Sequence, residues 1–306
     1  MTSLREVTPR HHHYATFYQL ESPPTPAARP RVAVIGNCQA ESLRILLDST
    51  GAISSFRIPP IHEWETDDLP FVRAALTQTD VLVMQQVRAD YRGLPIGTAQ
   101  LARLLPAHAR ILRFPVLRFD ALHPYLAIIR PPSDPGLNPP IVPYHDLRIL
   151  ARAAGLSQPR AVPAEAYGDC ARVNVAELAR REARDGIVVM SDYLETNPVW
   201  HTLNHPDNAT LAELARRVLR ALAVDGEVSP PADREMLGRL QAPILPAAAA
   251  ALGVSARRPE WLQDGKPIPQ ADINAAHLAF YAAHPEAVAA GLQRHSTRLN
   301  TLGFSQ

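Results

Sequence analysis

Apolar and polar positions alternate in blocks along the first half of the chain. Residues 32–35 are a short apolar run of the length expected for a buried strand. Gly36 and Asn37 then supply a turn, and Leu43, Leu46 and Leu47 recur at helical spacing. The same signals repeat further on. Residues 55–58 predict a weak second strand, closed by Pro59 and Pro60, and Asp67 or Asp68 can cap a helix through Leu76. Asp80 introduces a strong strand over 81–84, residues 98–105 read as a helix, and 110–114 as a fourth strand. Strands separated by helices predict an α/β fold, a parallel sheet flanked by helices. Ligands of such sheets gather beyond the carboxyl ends of the strands. Here those ends carry Cys38, Gln85, Gln86, Arg88 and Arg113.

The remainder is less regular. Residues 130–143 hold six prolines, too long a stretch for a plain connector and a candidate cover for a ligand. Tyr144, His145 and Asp146 open a predicted helix that Gly155 ends. Further helices are predicted over 172–184 and 209–223, with a strand at 187–190. From 227 onward the pattern predicts short helices broken by prolines. The expected organisation is a flexible polar tail over 1–30, an α/β core over 31–224 and a helical C-terminal lobe over 225–306. That lobe is a candidate for mediating a homodimer.

Composition narrows the classes of function. A formal charge of +1 over 306 residues argues against bulk attraction to nucleic acid. No apolar run is long enough for stable membrane insertion, and charges interrupt the N-terminus where a signal peptide would be apolar. Cytoplasmic residence is the expectation. The two cysteines, Cys38 and Cys170, are expected to be reduced there. His11, His12 and His13 lack a carboxylate or cysteine at ligand spacing, so no metal is expected.

The candidate chemistry centres on Cys38. It stands at a strand-to-helix junction, where unpaired N–H groups and the helix dipole favour a thiolate and an oxyanion. Asn37 and Gln39 add amide groups on either side. Cys170 lacks such a setting and reads as structural. A catalytic thiol needs a base, usually histidine. His123 (three residues after Asp120), His145, His201 and His205 are all candidates, and the residues do not choose among them. The phosphate-binding and dinucleotide-binding glycine motifs and the zinc-protease motif are absent from the sequence.

Val34-Ile-Gly-Asn-Cys-Gln39, the 80–85 strand with Arg88, Pro143-Tyr-His-Asp146 and Thr202-Leu-Asn-His-Pro206 together resemble the WcbI-type polysaccharide biosynthesis family over residues 31–224. The opening also looks like that of SGNH hydrolases, with Gly-Asn-Cys where those enzymes have Gly-Asp-Ser. The late Asp-x-x-His of that superfamily is missing. The resemblance implies an SGNH/flavodoxin-like core and a capsule-assembly enzyme that transfers an acetyl group from acetyl-coenzyme A to a saccharide acceptor. It implies catalytic roles for Cys38, His205, Asn37, Gln39 and His123. Coenzyme A (CoA) binding falls to Gly36, Gln85, Arg88, Arg113, Tyr144, His145 and Asn204, with Arg92 and Arg118 as further phosphate partners. An SGNH-type thiol esterase without CoA, or a non-catalytic CoA- or sugar-binding protein, are the alternatives.

Overall fold

The structure, a computed structural model, describes residues 7–23 and 29–305. In chain order α1 (Pro9–His13), β1 (Val32–Ile35), α2 (Cys38–Asp48), α3 (Leu69–Leu76), β2 (Val81–Gln85), α4 (Thr98–Ala102) and β3 (Arg110–Phe114) come first. Next are β4 (Leu126–Ala127), β5 (His145–Asp146), α5 (Leu147–Ala153), α6 (Ala164–Asp185), α7 (Ser191–Thr196), β6 (Trp200–Thr202), β7 (His205–Pro206) and α8 (Asn208–Leu222). The chain ends with β8 (Leu240–Gln241), α9 (Pro246–Ala251), β9 (Trp261–Gln263), β10 (Lys266–Ile268), α10 (Gln270–Ala283) and α11 (Pro285–Thr301). Among the described residues no helix is long and apolar enough to cross a membrane.

The chain forms two compact units, neither continuous in sequence. The first takes the described residues of Met1–Val116 with Ala179–Met190 and Asn208–Arg234; the second takes Leu117–Leu178, Ser191–Asp207 and Glu235–Gln306. These boundaries replace the single break expected near residue 224, because the chain returns to the first unit twice after leaving it.

In the first unit β1, β2 and β3 form a parallel sheet with β2 in the centre, Val34 opposite Val83 and Val83 opposite Leu112. Side chains alternate between faces along each strand. Ala33, Ile35, Leu82 and Met84 face a cluster with Val72 and Leu76 of α3 and Leu101 of α4. The intervening Val32, Val34, Val81 and Val83 are buried as well, and α2 and α8 pack on each other and on the edge strands β1 and β3. Cover on both faces explains why β1 and residues 81–84 of β2 are wholly apolar rather than alternating, whereas the edge strand β3 carries Arg110 and Arg113 and is partly exposed. The predicted strand at 55–58 does not form; only the preceding Ser54 makes a single bridge, with Arg31, and the prolines that follow cannot donate to a ladder. The predicted strand at 187–190 only touches the sheet, through Val188 N–H to Arg113 O at 2.9 Å.

The expected tail is a correction. Tyr14, Phe17 and Tyr18 are buried in the cluster beneath Trp64 and Ile58. The buried Asp68 carboxylate ties them down. It accepts from Arg10 at 2.9 and 3.2 Å, from the Tyr18 hydroxyl at 2.8 Å and from Glu65 N–H at 3.0 Å. Polar neighbours hid three aromatic anchors from a reading based on average composition. The rest of the predicted tail, 1–6 and 24–28, lies outside the described residues.

The second unit is mostly helical, with α5 packed against α10 and α11. Gly291 lets α11 come close, since a Cβ there would lie 2.4 Å from Leu150 Cδ1 and 2.6 Å from Ile129 Cδ1. Tyr144, His145 and Asp146 do not begin the helix as the sequence suggested. His145 and Asp146 pair with β4, and Asp146 then caps α5 by accepting from Arg148 N–H at 2.8 Å. The C-terminal region is helical but also holds a three-stranded antiparallel sheet, β8, β9 and β10. Its strands are only two or three residues long, too short to show a period.

Burial tends to raise the Asp68 pKa, and the bonds from Arg10, Glu65 and Tyr18 outweigh it, leaving the carboxyl below its ordinary value. The stability it contributes is therefore complete above the unfolded pKa, ~3.9, and is lost as pH falls through the depressed folded value. Replacement by alanine strands the Tyr18 hydroxyl in the interior. Asp68→Ala is expected to cost ~1–3 kcal/mol in urea unfolding at pH 7, with a smaller difference from the parent protein toward pH 3.

Candidate active site

The elbow between β1 and α2 is built by one buried glutamine. Gln85, the last residue of β2, accepts from Asn37 N–H at 2.9 Å; its amide nitrogen donates to Asn37 Oδ1 and to Gln39 Oε1, both at 3.3 Å. Asn37 Oδ1 also caps α2 by accepting from Gln39 N–H at 3.0 Å. Gly36 is required for space rather than for its φ angle: a Cβ there would lie 2.6 Å from Gln85 Oε1. The Gly36 carbonyl accepts from Ile61 N–H at 2.9 Å. The predicted group Gly36, Asn37, Gln39 and Gln85 is thus brought together, as the frame of Cys38. The side-chain amides expected to serve an oxyanion are committed to that frame.

Cys38 is half-buried at the first turn of α2. The N–H groups at the first turn of α2 favour the thiolate, as the position predicts, although that of Gln39 also donates to Asn37 Oδ1. Burial outweighs them, and with a small push from Glu63 the thiol pKa rises to about 11. This corrects the expectation of a lowered pKa: two N–H groups do not replace the water that burial removes. Cys170 is buried too, and its pKa is likewise pushed up to about 11, by burial first and then by Asp120. At the same carboxyl edge Arg113 donates to Gln86 Oε1 at 3.3 Å, while Arg88 is exposed just beyond β2.

The second unit gathers three more of the predicted residues. Tyr144 donates its hydroxyl proton to Asn204 Oδ1 at 2.7 Å and lies 2.9 Å from Thr202 Oγ1. Its ring is stacked on Trp261 at 6.1 Å and meets His205 edge-on at 6.5 Å. His205 is in the short strand β7, and its pKa falls to about 4, through burial first and then His201. It is therefore a neutral imidazole at pH 7. His201 lies 3.3 Å from Glu235 Oε2. Trp261, 117 positions after Tyr144 in the chain, left no local signal to find it by.

His123 and His145 are internal. His123 is 2% exposed, with Nδ1 3.0 Å from Pro243 O and Nε2 3.2 Å from Trp200 O. Burial lowers its pKa to about 4. Asp120 does not orient it; backbone carbonyls occupy both ring nitrogens. His145 is fully buried, 2.9 Å from the Tyr281 hydroxyl and stacked on that ring, and burial followed by His277 takes its pKa to about 3. Packing accounts for both residues, and neither presents a ring nitrogen to a ligand.

Two outcomes follow from the elbow. Gln85→Leu keeps the volume but leaves Asn37 N–H without its acceptor, and is expected to lower stability by ~1–3 kcal/mol in urea unfolding. Alkylation of Cys38 by iodoacetamide is expected to quicken about tenfold per pH unit from pH 7 past pH 9. A plateau near pH 8.5, the value of an ordinary thiol, would show that burial does not govern this sulfur.

Residues 31–227 match the family model described as "Polysaccharide biosynthesis enzyme WcbI". A solved structure of WcbI, described as a novel polysaccharide biosynthesis enzyme in a native form without a disulfide bond between CoA and one of its cysteines, is similar in fold. The TM-score is 0.73 at 20% identity, covering 90% of this chain and 99% of that one. No curated protein matches the chain. With the family model spanning more than half of its length, this chain belongs to the WcbI family of polysaccharide biosynthesis enzymes.

Proposed function

We propose that the protein is a CoA-dependent O-acyltransferase that moves an acetyl group from acetyl-CoA to a saccharide hydroxyl, as a cytoplasmic step in capsule or other surface-polysaccharide assembly. The observation that carries this reading is the elbow: a thiol at a helix N-terminus, in a turn that Gln85 and the Asn37 cap hold in place. That is the placement an acyl-transferring nucleophile uses, with its oxyanion donors supplied by the backbone. The printed description of the similar WcbI structure, which concerns CoA and a cysteine, supports CoA as the acyl carrier.

We assign the roles one residue at a time. Cys38 attacks the thioester carbonyl; the C–S bond to CoA breaks, the acyl group rests on Cys38, and CoA leaves as its thiol with the proton that Cys38 gives up. The saccharide hydroxyl then attacks this second thioester, the C–S bond to Cys38 breaks, and the hydroxyl proton re-forms the thiol by way of the base. His205, neutral at pH 7 because burial holds its pKa near 4, is the base that accepts the hydroxyl proton. Tyr144 and Asn204 hold the segment that carries it. Arg88 and Arg113 are assigned to the CoA phosphates, as planar donors that suit such oxygens.

A specific observation favours a second route. A thiol whose pKa is near 11 is almost wholly protonated at pH 7. In direct transfer the base activates the sugar hydroxyl, and Cys38 contributes only its N–H group to the oxyanion.

Incubation with acetyl-CoA followed by intact-mass measurement separates the routes. The covalent route gives a gain of one acetyl group, absent in Cys38→Ala, together with loss of transfer to acceptor. Full transfer by Cys38→Ala would leave the direct route. Release of acetate from simple esters with no dependence on CoA would replace transfer by hydrolysis.

A further inference from the structure

Three neighbouring concavities of the second unit share Arg148 in their linings. The first, about 410 Å³, also takes in Arg152, Gln158 and Asn274. The second, about 20 Å³, includes Tyr125, and the third basin, about 330 Å³, includes Gln158 and Arg160. Leu245 is common to all three, and prolines 243, 246 and 259 add apolar surface.

Arg148 is fixed before any ligand arrives. Its Nε and Nη2 donate to the two oxygens of Asp146 at 3.0 and 2.6 Å, and its guanidinium lies 4.7 Å over the Tyr125 ring. Gln158 donates to the Arg148 carbonyl at 2.8 Å, tying the rim to the helix that carries Arg148. Among the described residues Nη1 of Arg148 has no hydrogen-bond partner, and Arg152 and Arg160 have no carboxylate partner. The groove therefore carries three guanidinium groups against one carboxylate, and that carboxylate is already spent on Arg148.

We propose that this groove is a saccharide-binding site that recognises an anionic sugar chain through Arg148, Arg152 and Arg160. The inference rests on the saccharide reading above and names the class of acceptor. Guanidinium groups pair in two-point fashion with sugar carboxylates, phosphates or sulfates. Gln158 and Asn274 can bond hydroxyls, and the proline and leucine surface suits the C–H faces of pyranose rings. Two basins that share Arg148, Gln158 and Leu245 along one face suit an extended chain of several sugars better than a compact ligand. The chain's near-neutral net charge argues against nucleic acid in the same groove.

The test is calorimetric binding of tetragalacturonate, with maltotetraose as the neutral counterpart, to the full chain. The charged tetrasaccharide is expected to bind at least about tenfold more tightly than the neutral one, and the preference should weaken with added salt. Arg152→Gln with Arg160→Gln is expected to reduce its affinity about tenfold or more with the thermal midpoint unchanged, since both side chains are exposed. Equal binding of the two tetrasaccharides, or undiminished binding by the double variant, would overturn the proposal. So would displacement of tetragalacturonate by CoA or by inorganic phosphate at equal concentration, which would assign the groove to the co-substrate or to any anion. None of these readouts requires acyl transfer, so failure of the groove and failure of the transferase reading remain separate results.

Discussion

Gln85 is the side chain on which the rest of the elbow depends. A parallel strand can deliver a nucleophile to the edge of its sheet only if the turn that follows is held against the neighbouring strand. In this chain the Gln85 amide does the holding, accepting from Asn37 N–H and donating to the side chains of Asn37 and Gln39. Each polar group of that buried amide is answered, which is the condition for placing it in the interior at all. The frame also explains Gly36, because any side chain there would occupy the place of Gln85 Oε1. One residue at the end of β2 therefore sets the start of α2, the direction of its first N–H groups and the position of Cys38.

Burial then decides which groups carry charge. The Cys38 thiol is pushed up and the imidazoles of His123, His145 and His205 are pushed down, and in each case loss of water is the leading cause. Both shifts favour the neutral form. A helix terminus favours a thiolate when the sulfur stays hydrated, but here its two N–H groups act on a sulfur already removed from most of its solvent. Location on the fold and ionisation state are thus separate questions, and only the first can be read from a strand-turn-helix pattern.

That distinction marks what the sequence discloses. The parallel sheet was legible because β1 and β2 are covered on both faces, so they are continuous apolar runs that a turn or a charge brackets. The elbow was legible because Gly36, Asn37, Cys38 and Gln39 are consecutive, and Gln85 because it ends the next strand. The N-terminal segment was not legible, since Asp68, distant in sequence, holds its Arg10 and Tyr18, and Tyr14, Phe17 and Tyr18 pack among residues from 33 onward. His123 shows the opposite error. Its spacing from Asp120 suggested an oriented base, but carbonyls of Trp200 and Pro243, distant in sequence, hold the ring. Contacts of that kind leave no period and no motif.

The resting protonation states constrain how the proposed chemistry can run. Burial pushes the Cys38 thiol up to about 11 and the His205 imidazole down to about 4, so each group taken by itself is neutral at pH 7. The elbow by itself therefore holds Cys38 as a thiol rather than a thiolate. Charge has to appear as the acyl group moves, with proton loss from the attacking hydroxyl or thiol coupled to carbonyl addition rather than preceding it. Under that constraint the N–H groups at the first turn of α2 would matter most to the proposed reaction at the oxyanion, where negative charge develops, rather than at the resting sulfur, which burial keeps neutral.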